Sequence, residues 1–464
     1  MPDRLSPLDV SFLYMETPTT AMHVGGVATF QPPEGGFDYE RLVELIAQRI
    51  TLVPRYRQKV RSIPGRIANP VWVDDEDFDV AYHVRRSALP KPGTPAQLRE
   101  LVARLQSRQL DRNRPLWEIY LVEGLEGGQV GIVTKTHHAM VDGISAVDIG
   151  TVILDLTPTP REVPDDDWIP ERSPSSASLM VGAVTDLVRR PSQALDTARS
   201  AVVDARATVG KITTIAGGVL ASARTMARPA PDSPLNVPIG EQRRFGMAAT
   251  SLDGYKRVRK AHGGTVNDVV LATVTGALRT WLLTRGETVT PSTTIRAMVP
   301  VSVRVDDQSG QLGNRVSSYF VDLPVGEINP VMRLRQVSAA MRAHKDSGQA
   351  VGADALVQLT GFAPPTIHAL AARAASGFTR RLFNLVVTNV PGPQFPLYAA
   401  GARMLEMYPV VPLAKGQAVS IGLTSYDGGV YYGLNADRDA MPDIDVLAGC
   451  LEESLAELVA TVER

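Results

Sequence analysis

A chain of 464 residues is longer than one hydrophobic core usually serves, so two domains are expected. The 48 Lys and Arg residues against 49 Asp and Glu leave a net charge of −1, which excludes a whole-molecule attraction to nucleic acid. The single cysteine, Cys450, excludes an intrachain disulfide and a cysteine-rich zinc site, and its apolar setting reads as a helix stripe in the core.

The N-terminus carries Asp3, Arg4, Asp9 and Glu16 among prolines, so no secretory signal is expected. Nor does any stretch reach the roughly 18 apolar residues of a membrane span. The longest, Ile212 to Ala223, is interrupted by Gly217 and Gly218. A cytoplasmic protein is expected, at most peripheral on a membrane. Tyr39 to Ile50 and Ala96 to Leu110 have helical periodicity, and Trp117 to Val122 and Val130 to Thr136 read as strands. Ile144 to Leu156 reads as a further helix.

From Thr157 the composition changes. Prolines 158, 160, 164, 170 and 174 with Asp165-Asp166-Asp167 mark a linker of net charge −3 through Pro174. Ser175 to Arg228 lacks aromatics and reads as one or two long helices interrupted near Pro191. Arg189 to Arg228 holds seven bases and two acids, a net of +5. This segment fits either a solvated helical crossover or a peripheral contact with an anionic membrane or lipid-droplet surface, where each base near the surface contributes about 1 kcal/mol. Beyond it, Asp268 to Leu283 predicts a helix. Thr294 to Val303, Val316 to Leu323 and Leu385 to Asn389 predict strands, and Asp427-Gly428-Gly429 a hairpin between Gln417 to Tyr426 and Val430 to Asn435. The organisation expected is residues 1–157, a crossover at 158–239 and a second α/β unit at 240–464.

The sharpest chemical feature is His137-His138-Ala139-Met140-Val141-Asp142-Gly143, between a strand and a helix. A histidine on such a turn is reachable at a sheet edge, and imidazole is the natural general base near neutral pH. Gly143 permits a tight turn. Other readings of these residues stay open. A histidine pair could bind metal, but neighbours on a strand point apart and no third ligand follows at suitable spacing. A serine elbow fails at the last position of Gly143-Ile144-Ser145-Ala146-Val147. A buried, hydrogen-bonded histidine pair is the plain structural alternative.

With its surroundings, the run resembles the His-His-x-x-x-Asp-Gly motif of the coenzyme A-dependent acyltransferase superfamily. Further segments narrow the resemblance. Leu5-Ser6-Pro7-Leu8-Asp9, Met22-His23-Val24-Gly25-Gly26, Pro115-Leu116-Trp117-Glu118, Thr265-Val266-Asn267-Asp268, Val299-Pro300-Val301-Ser302-Val303-Arg304 and Thr388-Asn389-Val390-Pro391-Gly392-Pro393 are similar, in order, to segments of the bacterial wax ester synthase/diacylglycerol acyltransferase family. The likeness spans nearly the whole chain except about 157 to 230.

The resemblance implies an α/β (α+β) fold of two chloramphenicol-acetyltransferase-like domains, each a mixed sheet with helices, joined by the crossover. It implies transfer of a long-chain acyl group from acyl-CoA, a substrate and not a cofactor, to diacylglycerol or a long-chain alcohol. No metal or other cofactor is expected. His138 would be the general base and His137 would shape the turn. Asp142 would hold the loop by pairing with an arginine, for which Arg304 is the candidate, while a direct acid–base role for Asp142 stays open. Asn267 reads from the residues alone as a helix N-cap followed by a first-turn acid, and by resemblance as a group near the acyl site. Thr388 and Asn389 are weaker candidates for a polar group at the reacting carbonyl. Trp117 reads as core, with Pro115 fixing the strand entry. Three rivals are weighed: a membrane glycerolipid acyltransferase using His137 and Asp142 at His-x-x-x-x-Asp spacing, against which chain length and the other matched segments decide; a condensation-type domain fed by carrier proteins; and a catalytically silent lipid-binding protein, against which intact His138, Asp142 and Gly143 argue.

Overall fold

The computed structural model describes residues 2–66, 68–141, 149–164, 168–189, 229–302, 316–346, 351–352 and 381–462. In chain order the first half contains helix α1 (Pro7–Met15), strand β1 (His23–Gln31), α2 (Tyr39–Arg49), β2 (Gln58–Arg61), β3 (Val71–Asp74), the short α3 (Val80–His83), β4 (Val84–Ala88), α4 (Pro95–Gln106), β5 (Trp117–Glu123), β6 (Val130–His137), α5 (Ile149–Ile153), β7 (Leu154–Asp155) and α6 (Ser176–Arg189). The second contains β8 (Arg243–Ser251), α7 (Leu252–His262), α8 (Val266–Thr284), β9 (Ile295–Ser302), β10 (Val316–Leu323), α9 (Pro330–Asp346), β11 (Val351–Gly352), β12 (Leu385–Pro391), β13 (Tyr398–Ala399), β14 (Ala402–Val410), β15 (Val419–Tyr426), β16 (Gly429–Asp437) and α10 (Ile444–Ala460).

These strands form two seven-stranded mixed sheets, ordered β4-β5-β6-β1-β14-β13-β7 and β11-β10-β9-β12-β15-β16-β8, with β2 and β3 as a separate pair. Each sheet carries its own apolar core. The fold is the mixed α/β pair of sheets that the sequence implies. Sheet membership does not follow chain order, however. β13 and β14, far along the chain, complete the first sheet by pairing with β7 and β1. Where the chain leaves β14 it lies against the second sheet: a Cβ on Gly433 of β16 would stand 1.9 Å from the Pro409 carbonyl oxygen, so only glycine fits beneath it. The two sheets are further joined by α4, whose Leu98, Leu101, Val102 and Leu105 share an apolar cluster with Val27, Phe245, Tyr408 and Val410.

Local chemistry explains most elements. The helix α4 starts with a Thr94–Gln97 capping box and Pro95 at its first position. The β15–β16 hairpin turns through Asp427 and Gly428, both with positive φ, as the Asp-Gly pair demands. Two expectations are corrected. The apolar stretch after the motif does not stay helical to Leu156; Leu154 and Asp155 form β7, where Asp155 makes a buried ion pair with Arg49 at 2.9 Å. The helix expected from Asp268 starts at Val266, because Thr265 is its N-cap and Asp268 closes a capping box back onto the Thr265 amide. Asn267 is therefore not the cap. Among the described residues no helix is long and apolar enough to cross a membrane.

Candidate active site

β6 ends at His137, and His138–Met140 make a single 3-10 turn. Two separate chain segments hold this corner by the backbone. The His137 amide donates to the Leu116 carbonyl at 2.9 Å, and the His138 amide donates to the Met22 carbonyl at 2.8 Å. His137 also caps the turn, its Nδ1 accepting the Ala139 amide at 3.0 Å. That bond leaves the proton of a neutral His137 ring on Nε2.

The two histidines differ in access. His137 is 1 % exposed, whereas His138 is only partly buried and stacks on Phe12 of α1 with ring centroids 4.0 Å apart. His138 thus keeps part of its ring exposed, and His137 is enclosed in the protein.

What encloses His137 is an ionic cluster around Glu16, the residue that ends α1. The Glu16 carboxylate lies 3.6 Å from His137 Nε2, 3.4 Å from His23 Nε2 and 2.6 Å from Arg112 Nη2. It also accepts the Met22 amide at 3.3 Å. Arg112 in turn donates to the Leu13 carbonyl at 2.9 Å. Burial alone would raise the Glu16 pKa, but hydrogen bonds from His137, His23 and Arg112 outweigh it and hold the carboxyl well below the usual range. His23 starts β1 and stands directly opposite His137 across the β1–β6 ladder. Burial is the main reason its pKa falls to about 4, with Lys135 and His137 adding to the fall and Glu16 opposing it. At neutral pH the cluster therefore holds an ionised carboxylate against a neutral His23.

Lys135, two residues before His137 on the same side of β6, is fully buried. Its ammonium donates to the Leu105 carbonyl at 3.1 Å and to that of Arg108, at the C-terminal end of α4, where a cation suits the helix dipole. Burial lowers its pKa to about 8, against the pull of Glu118.

In the second sheet, two residues singled out from sequence come together: Asn389 Nδ2 donates to Asn267 Oδ1 at 3.1 Å. Freed from capping by Thr265, Asn267 spends its side chain on the end of β12. Thr388, the residue before Asn389, is half-buried on β12 opposite Gly422, and as a strand neighbour it faces the other side from Asn389. Trp117 is core: fully buried, donating to the Tyr56 carbonyl at 2.7 Å and stacked on His83. Asp142, Gly143 and Arg304 lie outside the described residues, as does nearly all of the basic stretch after Arg189. Sequence reasoning overlooked Glu16, Phe12 and Arg112. One signal was available: Glu16 is the only acid between Asp9 and Glu34, isolated in a stretch that is otherwise apolar or neutral.

The family model of the wax ester synthase/diacylglycerol acyltransferase catalytic domain matches residues 5–270, and that of the C-terminal domain matches 312–459. The chain belongs to this family. It is 36% identical to the probable diacylglycerol O-acyltransferase tgs2 of Mycobacterium tuberculosis, over 99% of both chains. Its fold is similar to the solved wax ester synthase/diacylglycerol acyltransferase of Marinobacter aquaeolei, with a TM-score of 0.71 and 30% identity over the whole of both chains. The first condensation domain of the calcium-dependent antibiotic synthetase superposes with a TM-score of 0.58 at 14% identity, covering 100% of this chain and 96% of that one, a likeness of fold alone. The acyltransferase reading of the motif thus stands on the whole chain, and a membrane glycerolipid acyltransferase is set aside.

Proposed function

We propose that this acyltransferase moves a long-chain acyl group from acyl-CoA to the hydroxyl of diacylglycerol, making triacylglycerol, with His138 as general base. The observation that carries the base assignment is the difference between the two histidines: His138 is reachable on its turn and His137 is sealed against Glu16. His138 removes the proton from the acceptor hydroxyl while that oxygen attacks the thioester carbonyl. The tetrahedral oxyanion collapses, the C–S bond breaks, and the thiolate of coenzyme A takes the proton from the imidazolium. The proton balance closes without a covalent acyl-enzyme, and Cys450, buried in the helix α10, has no part in it. General-base action of this kind contributes about 10²- to 10⁴-fold. Long-chain alcohols are a second acceptor class, supported by the family's wax ester synthase members. Asp142 with Arg304 is retained as the loop-holding pair, and Asn267 and Asn389 as a polar pair for the substrate side. Both substrates are lipids, so we place the reaction at a lipid surface with the basic stretch from Arg189 as its contact.

The test is CoA release from palmitoyl-CoA with diacylglycerol, a long-chain alcohol or a monoacylglycerol as acceptor. His138→Ala is expected to abolish turnover and His137→Ala to reduce it. Full activity of His138→Ala, or loss only in His137→Ala, overturns the assignment.

A further inference from the structure

Glu16 is linked to His138 by three independent routes. Through the first, its carboxylate faces His137 Nε2 at 3.6 Å, and the opposite nitrogen of the same ring accepts the amide of Ala139, the residue after His138. Through the second, it accepts the Met22 amide at 3.3 Å, and the Met22 carbonyl accepts the amide of His138 itself. Through the third, Glu16 ends α1, its backbone amide donating to the carbonyl of Phe12, whose ring stacks on the His138 imidazole at 4.0 Å. The carboxylate thus reaches the backbone on either side of the imidazole, while the Glu16 backbone amide, not its charge, ends the helix turn that carries Phe12.

Charge explains why this position needs an acid. His23 and His137 face each other across the ladder, both buried, and Arg112 brings a guanidinium from the other side. A neutral residue of the same size would leave Arg112 without its counter-ion and would take the negative charge away from His137 Nε2, which faces it at 3.6 Å. A ring no longer held toward that charge is freer to turn, and turning releases the Ala139 amide. Lys135 and Glu118 lie further along β6 and β5 as a second pair, 3.7 Å apart, and do not substitute for Glu16.

We infer that Glu16 is a positioning residue for the transfer reaction: through His137, Met22 and Phe12 it sets the place and orientation of the His138 imidazole. The inference rests on His138 being the base. It makes the carboxylate that serves the histidine pair one supplied by the end of α1, outside the His137–Gly143 run.

Positioning acts on the reaction step and not on substrate capture, so it separates kcat from KM. Glu16→Gln keeps the size and an acceptor for Met22 while removing the charge. Its kcat is expected to fall on the order of 10- to 100-fold, with KM for palmitoyl-CoA within about threefold of the wild type. His137→Gln is expected to show the same split, and the double variant to lose no more than the worse single one, because both act through one path. Urea unfolding of each variant establishes that the protein assayed is folded. If Glu16→Gln does not fold, Arg112→Met, at a half-exposed residue, takes its place and is expected to lower kcat at constant KM. Wild-type kcat in the folded variant, or losses that multiply in the double variant, overturn the inference. An inactive His138→Ala beside a fully active Glu16→Gln sinks the positioning role alone, whereas an active His138→Ala removes the base on which it rests.

Discussion

Gly25→Ala adds one methyl group where the ladder between β1 and β6 has no room for it. A Cβ built on Gly25 stands 2.0 Å from the Thr134 carbonyl oxygen, 2.8 Å from its carbon and 3.3 Å from Lys135 Cα, all of them backbone. No side chain can rotate away, so the strands must part by at least about 1 Å to reach a tolerable contact. Overpacking of this kind costs about 1–3 kcal/mol, and each ladder hydrogen bond lost adds about 1 kcal/mol, so a loss of about 2–5 kcal/mol is expected. The parting occurs two residues from the His23–His137 pair. A displacement of about 1 Å near reacting groups is worth about 100-fold in rate. Urea unfolding measures the first quantity, and CoA release from palmitoyl-CoA with diacylglycerol the second. Gly26→Ala is the control, since its nearest contact would be the Tyr408 carbonyl at 3.2 Å, a clash that small shifts relieve. A Gly25→Ala protein within about 0.5 kcal/mol of wild-type stability and within about twofold of its kcat refutes the reasoning.

Two further outcomes are expected. The folded pKa of His23 is lowered to about 4 from 6.5, so between these values the unfolded chain binds more protons and stability falls as pH falls from 6.5 to 4, by up to about 3 kcal/mol. Glu16, also lowered, adds its own loss only below about 4.5. His83 and His344 are lowered too, so the comparison of wild type with His23→Gln by urea unfolding at pH 7.5 and 5 isolates the His23 part, and identical slopes refute it. At the lipid surface, reversing the charge of Arg189, Arg190, Arg199 and Arg206 is expected to lower co-sedimentation with anionic liposomes by about tenfold or more at low salt, given about 1 kcal/mol per base. Unchanged binding removes the basic stretch as the contact.

Features set by neighbouring residues were legible in the sequence. The Asp427-Gly428 hairpin, the strand that delivers His137 and His138, and the core placement of Trp117 each follow from composition within a few positions. Family likeness then picked out Asn267 and Asn389, which the fold brings together. Features set by the meeting of distant segments were not legible. A nearby exception is Asn267, which looks like a cap because Asn precedes an apolar run, although Thr265 two residues earlier caps in a box with Asp268. Glu16 looked like one more charged residue of the N-terminal stretch. Its meaning depends on His23, Arg112 and His137 arriving around it from three other places. Nothing in the period-2 pattern of Ala402 to Val410 says which sheet it joins.

That strand has a consequence for how the molecule is made. β1 emerges from the ribosome near the beginning of synthesis and β14, its neighbour, near the end. At about 5–20 residues per second, β1 waits roughly 20–70 s with one edge unclaimed. The waiting edge carries Val27 and Phe30, side chains that are buried in the finished protein. An apolar strand with open amides and carbonyls is a template for pairing with another chain. Nascent or truncated polypeptides that stop before Ala402 are therefore expected to aggregate more readily than the full chain. The half bearing both histidines is expected to be more stable as a fragment when the 398–410 segment is supplied with it.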